Sequence, residues 1–312
     1  MPPAPPWRPC SRPEVKLFVH GFGYTAGVLA DRLLPLGWRV VGTSRTPEGR
    51  ARLARRGVTP VDPGDVDALA AGLVASDALL LSAAPGPAGC PGHADLALLL
   101  ERGAARPDWI GYLSTTGVYG DHGGRWVFER TAVAPLSPEA HRRVAAERAW
   151  LELGDRLGSA TTVFRLPGIY GPDPDGQGRS PFARLRDGSA RRYDKPGQVF
   201  SRIHVSDLAE GLLASMRRPR AGGIYNLCDD QPAPAETVTA HAASLLGLPP
   251  PPLIPFETAD LSPMARRFYG ESKRVSNAQA KAELGWRPLY PTYREGLAAI
   301  LGAERRLSPS AP

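Results

Sequence analysis

The sequence predicts an α/β protein built on a doubly wound parallel sheet, with a smaller lobe formed by its C-terminal part. Three observations lead there. Short apolar runs alternate with helical patterns from residue 14 to about residue 167, a glycine-rich turn joins the first run to the first helix, and beyond residue 167 the texture changes to polar, loop-rich segments. Strands alternating with helices of this length call for parallel pairing through crossover helices.

Taken in order, the apolar runs at 15–20, 38–43, 59–61, 78–83, 109–114 and 161–166 read as strands. Each is apolar and bounded by turn residues, as strands covered on both faces should be. Helical periodicity falls between them at 26–34, 48–56, 66–74, 92–102 and 139–153. After Pro167 come strands near 199–203 and 223–226 and helices near 207–216, 235–246, 276–284 and 292–303. The expected division is a disordered Pro-rich lead-in at 1–13, a main domain at 14–175 with strands returning to it within 197–229, a lobe made of 176–196 and 230–304, and a flexible tail at 305–312. The stretch 172–193 reads as a polar, glycine-rich loop.

With 312 residues, 42% hydrophobic and 22% charged, the chain can bury a large core without staples. Its longest apolar stretches, such as 78–84, fall far short of the ~20 residues a membrane helix needs, so no membrane partner and a cytoplasmic location are expected. Cys10, Cys90 and Cys228 are too few and too scattered for a disulfide framework or a local zinc site, and no metal is expected. The net charge of +7 is spread along an Ala/Arg/Pro-rich chain, which argues against nucleic acid. The denser basic run from Arg179 to Arg202 suits either an anionic small molecule or a solvated face.

The turn itself reads Gly21-Phe-Gly23-Tyr24-Thr25-Ala26-Gly27, the GxGxxA pattern of a Rossmann-type dinucleotide site in the strand-to-helix context that gives it meaning. Gly21 permits the tight turn, Gly23 lets backbone approach a pyrophosphate, Ala26 allows close helix packing, and the helix N-terminus supplies free N–H groups from residues such as Tyr24 and Thr25. At the end of the second strand an NAD site would place a carboxylate on the ribose 2′-hydroxyl. Here stand Thr43, Ser44 and Arg45, hydroxyls and a guanidinium fork suited to a 2′-phosphate, so NADP is expected in preference to NAD. The alternative is that Arg45 merely opens a solvated basic helix with Arg50, Arg52, Arg55 and Arg56. Asp62 is placed to meet the adenine amino group, and Ala83, Ala84 and Pro85 to lie along the ribose.

Further stretches resemble the extended short-chain dehydrogenase/reductases, the group that includes sugar-nucleotide epimerases and dehydratases. They are Leu113-Ser-Thr115-Thr-Gly-Val-Tyr119-Gly, Arg165-Leu-Pro167-Gly-Ile-Tyr170-Gly-Pro, Ile203-His204-Val205-Ser206-Asp207, Tyr225-Asn226-Leu and Leu284-Gly285-Trp286. The resemblance implies that Thr115 hydrogen-bonds the reacting oxygen and that Pro167 and Tyr170 lie beside the nicotinamide. It also implies a Tyr-x-x-x-Lys pair on the helix after the fifth strand, the phenol moving the proton and the lysine holding the ribose. This chain departs from it: Glu139 stands at the tyrosine position and Arg143 at the lysine position. Its one Tyr-x-x-x-Lys spacing, Tyr269 to Lys273, falls deep in the lobe and is taken as chance.

Arg143 can hold a ribose but cannot be a useful proton donor, and the Thr115 hydroxyl is too weakly acidic to replace a tuned phenol. Tyr119, Glu139, His141, Tyr170 and His204 are the candidates for proton transfer, each with a plain packing or surface role as its alternative. Two functions stand: an NAD(P)-dependent oxidoreductase acting on a small carbonyl/alcohol pair, with an epimerase or dehydratase as a variant, or a non-catalytic NADP-binding sensor. The resemblance also suggests a homodimer through the fourth and fifth helices, but the charged helix at 139–153 leaves a monomer equally open.

Overall fold

The computed structural model describes residues 15–172 and 180–307. The expected lead-in at 1–13 and residues 308–312 of the expected tail lie outside the described residues.

Strands follow the chain as β1 (Lys16–His20), β2 (Arg39–Thr43), β3 (Thr59–Val61), β4 (Ala78–Leu81), β5 (Trp109–Thr115), β6 (Trp126–Val127), β7 (Ala160–Leu166), β8 (Gly168–Tyr170), β9 (Arg192–Asp194), β10 (Arg202–His204), β11 (Gly223–Asn226), β12 (Leu253–Pro255) and β13 (Arg274–Val275). Helices interleave as α1 (Tyr24–Leu33), α2 (Pro47–Arg55), α3 (Val66–Leu73), α4 (Pro91–Glu101), α5 (Pro138–Leu157), α6 (Phe182–Arg186), α7 (Val205–Arg217), α8 (Ala235–Leu245), α9 (Pro263–Phe268), α10 (Ala278–Leu284) and α11 (Tyr293–Leu307).

Seven strands make one parallel sheet in the order β11–β7–β5–β4–β1–β2–β3. Successive side chains of a strand point to opposite faces, and β1 shows the consequence. Leu17 and Val19 join one core with Leu29 and Leu33 of α1 and Leu208 and Leu212 of α7, whereas Phe18 joins the other with Leu69 of α3, Leu96 of α4 and Trp150 of α5. Both faces are therefore covered, which is why the strands read as continuous apolar runs. A third core, with Phe182, Ala242, Tyr293 and Ile300, holds the C-terminal elements together.

Of the one or two late strands expected to return, β11 joins the main sheet beside β7, and β10 pairs instead with β8, the short strand that continues β7 past Pro167. Other expectations are corrected. The expected loop at 172–193 contains α6 and the start of β9. The last helix runs to Leu307, three residues into the expected tail. The two-residue strands β6 and β13 pair with each other across almost 150 residues of chain, which no local pattern could announce.

Where β5 and β7 end, a buried ionic network fixes them to α5. Glu147 of α5 accepts from Arg165 Nη2 at 2.8 Å and from the Ser114 hydroxyl, with the two charged side chains 5% and 6% exposed. Arg165 Nη1 also donates to Glu129 O at 3.2 Å, and the Glu129 carboxylate accepts from Asn226 N on β11 at 2.9 Å. Removing one partner of such a pair strands a buried charge. Glu147→Ala is expected to lower the unfolding free energy by about 3–5 kcal/mol, read from urea denaturation; a loss below about 1 kcal/mol would show that the network carries no weight.

Candidate functional site

The glycine turn has the shape a dinucleotide needs. Gly21 sits at φ +81°, where a Cβ would fall 2.6 Å from Ala83, so the residue is confined to glycine by both conformation and space. A Cβ at Gly23, in contrast, would project into open space. No side chain caps α1, whose N-terminus is left for an anion. Thr43, expected to face the cofactor, instead accepts from Gly21 N at 2.8 Å and braces the turn. Thr25 and Ala26 are buried beneath it, and Tyr24 donates its hydroxyl to Pro172 O at 2.7 Å, tying the turn to the far side of the sheet's C-terminal edge. These residues fit a pyrophosphate.

At the end of β2, Arg45 is exposed and Ser44 half-buried. Arg50, which the sequence offers only as part of a basic helix, folds back beside them. Its Nη1 donates to Ser44 O at 3.0 Å and Arg45 O at 3.1 Å and pairs with Asp62 at 2.7 Å. Asp62 is thus engaged by a guanidinium and by Gly64 N rather than standing free for an adenine. Ala83 abuts Gly21, with Ala84 exposed and Pro85 half-buried after it.

A cleft of about 440 Å³ opens where β5 and β7 end. From the sheet come Thr115, Pro167 and Gly168; from the first turn of α5, Glu139; from the returning segment, Phe200; from the lobe, Arg267, Phe268, Glu271 and Lys273. Thr115 accepts from Gly117 N at 3.1 Å, which leaves its own proton for an acceptor in the cleft. Glu139, set on the rim by the Ser137 cap and Pro138, is fully exposed. A hydrogen bond from its own backbone N–H, with Arg267 and Arg142 nearby, holds its carboxyl below the usual range, so it is an acceptor at neutral pH.

Lys273 is the group that sequence reasoning missed. It is 9% exposed, and its ammonium donates to Gly120 O at 2.7 Å and Glu271 Oε2 at 2.5 Å. Among the described residues its third N–H has no acceptor. One signal was available: of 38 basic residues only Lys16, Lys195, Lys273 and Lys281 are lysine, so a chain that otherwise places arginine keeps an ammonium here.

Other expected residues go elsewhere. Tyr119 is fully buried, donates to Asn226 Oδ1 at 2.8 Å and lies 4.9 Å beneath the Arg165 guanidinium, so it packs and does not reach the cleft. Arg143 stays outside the cleft lining, its Nη1 on Leu113 O at 2.5 Å and its guanidinium over the Tyr112 ring. Tyr170 packs edge-on to His204, its hydroxyl buried against Gly296, and burial pushes its phenol up. His204 caps α7 through Nδ1 at 3.2 Å, and burial lowers its imidazole to about 4. His141 turns outward onto Ser137 O. Among the described residues, no three His, Cys, Asp or Glu side chains gather as metal ligands, and no helix is long and apolar enough to cross a membrane.

A parallel sheet with this strand order, a glycine turn after β1 and a cleft at its C-terminal edge define a dinucleotide-fold protein. A family model described as the NAD-dependent epimerase/dehydratase family matches residues 92–228. The chain is 47% identical to a functionally unknown conserved protein from Silicibacter pomeroyi, covering 93% of this chain and 99% of that one at a TM-score of 0.84. It is 32% identical over 163 residues to a 3-diazoavenalumate denitrifying reductase from a Streptomyces species, 49% of this chain and about half (52%) of that reductase. A UDP-glucuronic acid 4-epimerase from Bacillus cereus in complex with NAD shares the fold at 19% identity and a TM-score of 0.73, over 95% of this chain and 99% of that one. Residues 92–228 thus match the NAD-dependent epimerase/dehydratase family, and the chain as a whole has the fold of its epimerase structures.

Asp229 is 1% exposed, and the Gln231 backbone N–H and the Arg202 charge are the groups that favour its ionised form. Burial raises its carboxyl to about 8, against an opposing pull from Arg202. The folded state therefore holds a proton that the unfolded chain releases near pH 4, and stability should fall as pH rises from about 4 to about 8 and then level off. Asp229→Asn is expected to flatten that part of the profile of melting temperature against pH; an unchanged slope would place the proton elsewhere.

Proposed function

We propose that the protein is an NAD(P)-dependent oxidoreductase that prefers the 2′-phosphorylated cofactor and acts on a small carbonyl/alcohol pair. The observation that carries this is the cleft itself: Thr115 and Pro167, at the strand ends beside the glycine turn, face an ammonium delivered from the lobe. The reductase relative supports the reaction class. Bound in the turn, a nicotinamide cofactor supplies or accepts a hydride.

The chain's own residues do the rest. Thr115 donates its O–H to the substrate oxygen. In the reducing direction the carbonyl carbon takes the hydride, its π pair moves onto oxygen, and Lys273 Nζ gives that oxygen a proton. Glu271, whose side chain is 20% exposed, returns a proton to Lys273 from solvent. The lost tyrosine is thus replaced from the other wall of the cleft, with lysine able to do what arginine cannot. Arg45 and Arg50 together face the 2′-position, and the carboxylate that would repel a phosphate there, Asp62, is already paired.

Two outcomes follow. Arg45→Ala combined with Arg50→Ala should weaken NADPH binding about tenfold to a hundredfold, the worth of one or two charge-assisted hydrogen bonds, and leave NADH binding unchanged in a nicotinamide fluorescence titration; equal losses for both cofactors would contradict the 2′-phosphate assignment. Across a panel of carbonyl compounds, Lys273→Met should cut kcat for NADPH oxidation by about 100-fold or more with NADPH affinity intact, and Lys273→Arg should not restore it. A Lys273→Met enzyme of wild-type kcat would remove Lys273 from the chemistry.

A further inference from the structure

Beside the cleft lies a second chamber of about 320 Å³ that shares Gly168, Phe200, Ser201 and Phe268 with it. The Phe200 and Phe268 rings stack with centroids 4.4 Å apart and planes 6° from parallel, forming the wall the two spaces have in common. Val238, Tyr293 and Leu297 add apolar surface, and Arg184 stands at the rim.

Arg202 lines this chamber, half-buried. Its Nη2 donates to Ala233 O at 3.0 Å, its guanidinium lies 5.5 Å from the Tyr293 ring centre, and its Nη1 is sealed from solvent without a partner. Among the described residues, no Asp or Glu lines the chamber. The carboxylates near it are engaged or buried: Glu304 is held by Ser180 and Arg186, Glu295 by Thr292, Asp207 by the Leu289 and Tyr290 N–H groups, and burial raises the carboxyl of Asp229, which lies near Arg202, to about 8. Arg202 therefore keeps one guanidinium nitrogen buried and unsatisfied, and no carboxylate hydrogen-bonds the guanidinium, a costly arrangement that an anion in the chamber would relieve. A carboxylate matches a guanidinium fork, and flat aromatic walls favour a flat body.

We infer that this chamber binds the carboxylate of a planar aromatic acid, seated on Arg202 with its ring against the Phe200–Phe268 pair and its far end directed into the cleft. As a statement about substrate it rests on the oxidoreductase reading; as a statement about binding it does not.

Calorimetric titration of the full chain with trans-cinnamate, its neutral amide and UDP tests this, alongside an NADPH titration of every variant. Cinnamate is expected to bind at least tenfold more tightly than the amide. Arg202→Met should lose at least tenfold in cinnamate affinity, and Thr239→Phe, which fills the chamber from α8 and keeps Arg202, should lose it as well. NADPH binding should be unchanged in both, which also reports that they fold. No binding of cinnamate, equal binding of acid and amide, or full affinity in Arg202→Met would overturn the inference, as would binding of UDP in preference to the acid. Cinnamate binding without NADPH binding would leave the subsite standing and sink the oxidoreductase reading.

Discussion

The arrangement depends first on the buried pair between Glu147 and Arg165. An arginine on an interior strand of a parallel sheet is tolerable only if its charge is met on the spot, and Glu147, one turn beyond the position of Arg143 on α5, meets it. Because Ser114 shares the same carboxylate and Arg165 reaches on to Glu129 O, the network locks the ends of β5 and β7 together one residue before Thr115 and two before Pro167. Glu129 and Tyr119 then bind Asn226, which donates to Ser276 O on the approach to α10. The same contacts that fix the floor of the cleft thus reach the segment that carries Lys273.

This explains how the main sheet was legible and the cleft was not. The main-sheet strands β1 to β5 and β7 announce themselves as short apolar runs, and a fully buried one such as Ala78–Leu81 has no other reading between its turn residues. The glycine turn was legible for the same local reason, since Gly21 and Gly23 answer constraints within a few residues of themselves. Family landmarks also proved structural: the Asp207 carboxylate accepts from Leu289 N at 2.7 Å and Tyr290 N at 3.1 Å, and Trp286 donates back to Asp207 O, so two motifs far apart in sequence are one joint.

What could not be read were the residues whose meaning depends on pairing at long range. Lys273 enters the cleft because β13 pairs with β6, a contact of two residues on each side with no periodicity to betray it. Tyr119 and Tyr170 carry the right chemistry in the right motifs, yet burial beside Arg165 and Gly296 decides their roles, and burial is a property of the assembled fold. Arg50 was hidden by its neighbours in an arginine-rich helix, and only the turn of its side chain back toward Asp62 distinguishes it. The Tyr269-to-Lys273 spacing, taken as chance, is not a working pair: Tyr269 packs among Phe200, Phe256 and Tyr193, while Lys273 is bonded to Glu271.

The central claim is that the two halves of the chain build one cleft around a cofactor held by the glycine turn, and a crystal structure of the protein with NADPH tests it most directly. The account predicts a pyrophosphate on the N-terminus of α1, a 2′-phosphate beside Arg45 and Arg50, and a nicotinamide ring in the cleft between Thr115, Pro167 and Lys273. A cofactor bound away from the turn, or a nicotinamide ring lying outside that cleft, would contradict it.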